Sequence, residues 1–176
     1  MERAKELFLK YAGNRFFMDH DGEGAEYAGY HVSKETEERW AKEYILDFLE
    51  SERRGKEALR VYSAVAELLR CDKRDDYWEK CLYYPLRAAQ LDDVTVLFML
   101  SVSLRLAEKA VKKQTLSREG AEVYIKDLDG YTKRVMDRFR AGTFTRSPDY
   151  VMREFSDPAY VEEYLKELRE KWTALF

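Results

Sequence analysis

The sequence predicts an all-α fold, an irregular multi-helix bundle of about seven or eight helices filling one domain over residues 1–176. Three observations carry that prediction. Leu91–Lys113 reads LDDVTVLFMLSVSLRLAEKAVKK, and from Val94 to Val102 apolar residues occupy every side of a helical wheel, interrupted only by Thr95 and Ser101. A surface helix carries one apolar stripe, so this one belongs in the middle of a larger α-structure. The segments around it repeat apolar residues at helical spacing. The composition agrees: 37 % charged and 45 % hydrophobic residues with three prolines and eight glycines describe an ordered, helix-rich chain.

The elements follow in order. A first helix is expected from Glu2 to Ala12, with Leu7, Phe8 and Tyr11 on one face and Gly13 as its left-handed stop. Asn14–Val32 has no helical period. Phe16 to Met18 and Tyr27 to Val32 read as two short strands about the Asp21-Gly22 turn, so a small loop or β-hairpin insertion is expected at residues 14–32. Ser33 caps the next helix, whose stripe is Trp40, Tyr44, Ile45, Phe48 and Leu49, and Arg53, Arg54 and then Gly55 are expected to end it. Lys56–Arg70 buries Leu59, Tyr62, Val65, Leu68 and Leu69. A short helix around Asp75–Tyr83 meets Pro85, which breaks or kinks it or else opens a further short helix to Gln90.

The central helix takes its N-cap oxygen from Asp92 or Asp93, and Lys109, Lys112 and Lys113 suit the negative end of its dipole. Ser117 opens a long helix that ends at Gly142. A hairpin over Val123–Val135 competes, but the helical period runs through Gly130, at a cost of only about 1 kcal/mol for a mid-helix glycine. Ser147-Pro148 and Asp157-Pro158 each pair a cap residue with a first-turn proline, and the last helix spans Pro158–Leu175. No motif recurs at the roughly 34- to 47-residue period of helical repeats, which favours an irregular bundle over a regular solenoid and leaves a HEAT-like helical stack as the alternative.

Charge and patterning exclude several function classes. The net charge of −3 offers no global attraction to nucleic acid or anionic lipid. Arg105 and Glu108 interrupt the central stretch before the roughly 20 apolar residues of a membrane span. The opening MERAKELFLKYAG lacks the apolar core of a signal peptide, so a cytoplasmic protein is expected. Cys71 and Cys81 have no metal-ligand spacing and read as small buried hydrophobes. No serine elbow, P-loop or dinucleotide fingerprint occurs, so the expectation leans away from an enzyme and names no cofactor.

Three groups of residues are candidates for function. Phe16, Phe17, Tyr27, Tyr30, Tyr83 and Tyr84 lie outside the regular stripes or beside breaks, and large rigid aromatic side chains are enriched in protein interfaces. Asp19, His20, Asp21, Glu23 and His31 are candidate metal ligands. Read from Asp19, oxygen ligands fall at the first, third and fifth positions with Gly24 at the sixth, as an EF-hand loop begins; Tyr30 stands where its twelfth-position glutamate would be. Lys133, Arg134, Arg138, Arg140 and Arg146 form a basic group suggestive of nucleic acid, but Glu119, Glu122, Asp127, Asp129 and Asp137 dilute it. The expected function is therefore non-enzymatic binding of another protein, as a bacterial immunity or adaptor protein would do. Metal-dependent chemistry at Asp19–Asp21 and nucleic-acid binding through Lys133–Arg146 are the alternatives.

Overall fold

The computed structural model describes residues 1–148 and 154–176, and every regular element among them is helical. In chain order these are α1 (Glu2–Lys10), α2 (Arg15–His20), α3 (Gly24–Gly29), α4 (Lys34–Glu50), α5 (Gly55–Leu68), α6 (Trp78–Arg87), α7 (Asp93–Lys112), α8 (Arg118–Ala141) and α9 (Pro158–Thr173). A 3-10 turn at Glu154–Ser156 precedes α9. Lengths from six residues in α2 to 24 in α8 describe an irregular bundle.

The caps lie where side-chain chemistry puts them. Ser33, Asp92, Ser117 and Asp157 each accept a backbone N–H in the first turn of the helix they open. Gly142, at φ 69°, closes α8 in the left-handed conformation. α8 runs unbroken through Gly130, so residues 123–135 are helix and not hairpin.

α7 is the axis of the bundle, packed against α5, α6 and α9. Val94–Leu97 is buried on all sides, and farther along only a narrow strip through Ser101, Arg105 and Glu108 meets solvent. Tyr124 on α8 lies flat against Trp172 of α9, ring centroids 3.8 Å apart, and shares a 2.5 Å hydrogen bond with Ser103 of α7. No helix among the described residues is long and apolar enough to cross a membrane.

A second, smaller core sits at the N-terminal end, where Leu7, Phe8, Met18, Tyr27 and Trp40 pack together. Helix α4 joins the two cores, giving Trp40 to the small one and Ile45 and Phe48 to the large one.

Three expectations are corrected here. Residues 14–32 form two short helices instead of a hairpin. Asn14 caps α2 by accepting from Phe17 N, Gly22 turns the chain at φ 78°, and Met18 and Tyr27 are drawn into the small core. Gly55 opens α5 instead of following α4, which stops at Ser51. Arg53 holds that corner by bonding Asp47 at 2.7 Å and Glu57 at 3.1 Å. Pro85 lies inside an unbroken α6, with the freed Cys81 carbonyl taken by Tyr62. The helix expected to open at Pro148 falls largely on residues 149–153, outside the described residues.

Candidate functional site

Helix α2 is amphipathic over only six residues. Met18 points into the small core and is fully buried, which leaves the preceding pair outside: Phe16 is 71 % and Phe17 54 % exposed. Their rings meet edge to face at 5.6 Å. Two adjacent phenyl rings thus stand in water at this end of the molecule, both among the aromatic residues that lie outside the regular helical stripes.

Beside them runs an open cleft of about 380 Å³ between the N-terminal unit and the body of the bundle. Leu9, Tyr11 and Phe17 line one wall, Tyr44 of α4 stands at the seam, and Arg60, Ser63, Ala64 and Glu67 of α5 form the other wall. Those four recur at i, i+3, i+4 and i+7, hence on one helix face, with the two small residues between two long polar ones. Arg105 reaches in from the solvent strip of α7. A second cavity of about 390 Å³ lies on the other side of the seam, between α1, α4 and the turn after α5. Its charges are largely paired, Arg70 with Glu38 at 2.6 Å and Arg74 with Asp72 at 3.1 Å.

The other aromatic candidates do not join this surface. Tyr27 is 1 % exposed; its hydroxyl donates to Glu37 at 2.7 Å, Arg15 covers its ring at 4.2 Å, and burial raises its pKa. It is a core residue and offers no contact area. Tyr30 is half-buried against the same core and bonds Glu26. Tyr84 packs against Phe48 with ring centroids 4.6 Å apart, and Tyr83 packs against Tyr124 at 5.4 Å with the Arg87 guanidinium over its ring. These tyrosines complete the large core.

The acidic segment is spread along the α2–α3 corner. Asp21 accepts from Tyr11 at 2.9 Å and lies 3.3 Å from His20 Nδ1, contacts that hold its carboxyl below the ordinary range. Glu23 takes Lys10 at 2.7 Å. His31 is exposed with φ 48°, beyond the far end of α3. Gly24 is the first residue of α3, where Asp19 packs on it so closely that a Cβ would lie 1.7 Å from the Asp19 carboxylate. The glycine at this position thus serves a helix–helix corner. No group of three or more His, Cys, Asp or Glu with metal-holding geometry occurs among the described residues.

The basic group is likewise divided. Arg138 turns inward to Asp93, which is 4 % exposed and also accepts from Thr145 N at 3.0 Å and Thr145 Oγ1 at 3.1 Å. Arg140 pairs with Asp137 at 2.7 Å, and Arg146 bonds Ser156 at 2.9 Å. Lys133 and Arg134 remain exposed on α8.

Sequence reasoning missed the cleft lining because it comes from five helices distant in the chain. The one local signal was the Ser63-Ala64 pair, small residues between Arg60 and Glu67 on the face of α5 opposite its buried stripe. Both cysteines are free and buried, and loss of solvent pushes each thiol up to about 12, which makes them poor nucleophiles at neutral pH. No protein-family model matches the chain, and no significant match arises among curated proteins or solved structures.

Proposed function

We propose that this chain is a non-enzymatic protein that binds another protein, with α2 and the cleft beside it as the contact face. The observation that supports the reading is the exposed Phe16–Phe17 pair. A phenylalanine side chain moved from water into a packed interface contributes about 1.5–3 kcal/mol, so two adjacent rings supply much of a hot spot. The binding role is of the adaptor or immunity kind, in which a small helical protein occupies a surface of its partner. A cytoplasmic setting accords with it, since Cys71 and Cys81 are buried and not joined in a disulfide.

The metal and nucleic-acid readings draw less support. Asp21 and Glu23 already hold Tyr11 and Lys10, and Arg138 is committed to Asp93. The test is co-purification from the source cells with tagged wild type and a Phe16→Ala/Phe17→Ala double variant. A protein enriched by wild type and depleted about tenfold by the variant is the expected result. Equal recovery by both would remove α2 from the contact.

A further inference from the structure

We infer that residues 1–32 form a cap that opens and recloses on α4 as one unit while the bundle around α7 stays folded. Its three helices cannot stand alone. α1 has nine residues and α2 and α3 six each, all short of the roughly 12–15 that an isolated helix needs in water. They hold one another through Ala4, Leu7, Phe8, Met18 and Tyr27, whose shared core is separate from the main one and closes on Trp40 of α4. Polar ties knit the same unit internally, Arg3 to Glu26 at 3.0 Å and Tyr11 to Asp21 at 2.9 Å. Such a unit is lost or kept as a whole.

The attachment of the cap to the rest is narrow. Among the described residues, every hydrogen bond and ion pair that leaves residues 1–32 ends on α4: Lys5 on Glu43 at 2.7 Å, Arg15 on Glu37 at 2.9 Å, and the Tyr27 hydroxyl on Glu37 at 2.7 Å. The two ion pairs are largely exposed on the cap side and hold weakly. The apolar tie is Trp40, whose ring lies 5.8 Å from that of Phe8, with Ala41 beside it. Toward α5 the cap meets Leu68, the one side chain of that helix packed against both cores. On either side of this seam the structure is open, with cavities of about 380 and 390 Å³, and Ala12 and Glu67 line both. α4 itself does not depend on the cap, because Ile45 and Phe48 anchor it in the main core. Opening therefore breaks few contacts of the bundle, takes Phe16 and Phe17 from their fixed place on α2, and bares Trp40 to water. The device holds whatever binds at α2.

Native-state hydrogen exchange of the full chain, read by mass spectrometry of peptic fragments, tests this. Amides of α1, α2 and α3 should share one opening equilibrium and be at least about tenfold less protected than the buried amides of α7. Val102→Ala makes a cavity in the main core, so exchange in α7 should quicken about tenfold. Exchange in α1–α3 should then change by less than about twofold, since their opening leaves α7 folded. Trp40→Ala should quicken exchange in α1–α3 at least about tenfold, with α7 still protected and most of the helical circular dichroism retained. Equal protection of the cap and α7 in the wild type, or equal acceleration of both by Val102→Ala, would overturn the inference. Separate opening of α1, α2 and α3 would do so too, as would loss of the whole fold in Trp40→Ala.

Discussion

The hydroxyl of Tyr62 donates to the carbonyl of Cys81 at 2.7 Å, and Cys81 lies four residues before Pro85. In an uninterrupted helix that carbonyl would accept the N–H of residue 85, which proline lacks. Tyr62 comes from α5, is fully buried, and has its pKa held well above the ordinary value chiefly by burial. A neighbouring helix thus supplies the donor that the proline removed, and α6 continues to Arg87.

Tyr62→Phe should therefore destabilise the fold by about 1–3 kcal/mol, the cost of leaving a buried carbonyl without a partner. In a Pro85→Ala background the restored backbone N–H takes over, and the same substitution should cost about 1 kcal/mol less. Urea unfolding of the four proteins of this cycle measures the coupling. Additive single changes would show that Tyr62 contributes by packing alone.

Arg138 and Arg140, two residues apart in the same helix turn, should behave oppositely. Arg138 neutralises a carboxylate whose side chain is 5 % exposed, whereas the Arg140–Asp137 pair stands in water. Arg138→Met leaves the Asp93 charge buried with only Thr145 and the Tyr131 hydroxyl donating to it, which should cost about 3 kcal/mol even after allowance for the partly exposed guanidinium. Arg140→Met should change stability by no more than about 0.5 kcal/mol. Chemical denaturation of the two variants gives the comparison directly. If Arg138→Met proves as mild as Arg140→Met, Asp93 is not held by charge.

What was readable beforehand divides along the range of the interactions. Ser33, Asp92, Ser117 and Asp157 cap residues two or three positions away, so the chain announces them locally. The buried character of α7 was equally plain, since Val94–Val102 leaves no polar face to solvate. By contrast α2 and α3, of six residues each, are too short to show a period or to be stable alone. They exist because Met18 and Tyr27 pack on α1 and α4 and because Arg3 clasps Glu26. Asp93 finds Thr145 from 52 positions away, and the α2–α5 cleft joins Leu9 to Arg105. Of the candidate site, Phe16 and Phe17 could be named from sequence, while the residues of α5 and α7 that line the neighbouring cleft could not.

Alkaline solution should unfold the protein through its buried acids. Burial raises the Cys71 and Cys81 thiols from 9.0 to about 12, whereas in the unfolded chain they titrate near the ordinary value. Between these limits the unfolded state has lost protons that the folded state keeps, so stability falls as pH rises. Their contribution is complete below pH 9 and disappears by about pH 12. The buried tyrosines act in the same direction. Melting temperature should hold nearly level between pH 7 and 9 and then drop steeply, and a thiol reagent such as DTNB should label neither cysteine at pH 8 until denaturant is added. Prompt labelling of the native protein would show that the thiols are accessible.

Three glycines of the α2–α3 corner should respond differently to alanine, each for its own reason. At Gly24 a methyl would fall 1.7 Å from Asp19 Oδ1, 2.8 Å from its Cγ and 3.1 Å from its Cα. The carboxylate can swing away, but the backbone contact cannot be relieved without moving the end of α2, so Gly24→Ala should cost about 1–3 kcal/mol. Gly22 has open space around it but φ 78°, so alanine there pays only backbone strain, about 1 kcal/mol. Gly29 has open space and helical dihedrals, so Gly29→Ala should be neutral or stabilise by up to about 1 kcal/mol through the unfolded chain. Thermal unfolding of the three variants ranks them. Because Phe16 and Phe17 ride on α2, Gly24→Ala should also weaken partner capture, whereas Gly29→Ala should leave it intact. The reverse ranking would mean that α2 is not positioned by its contact with α3.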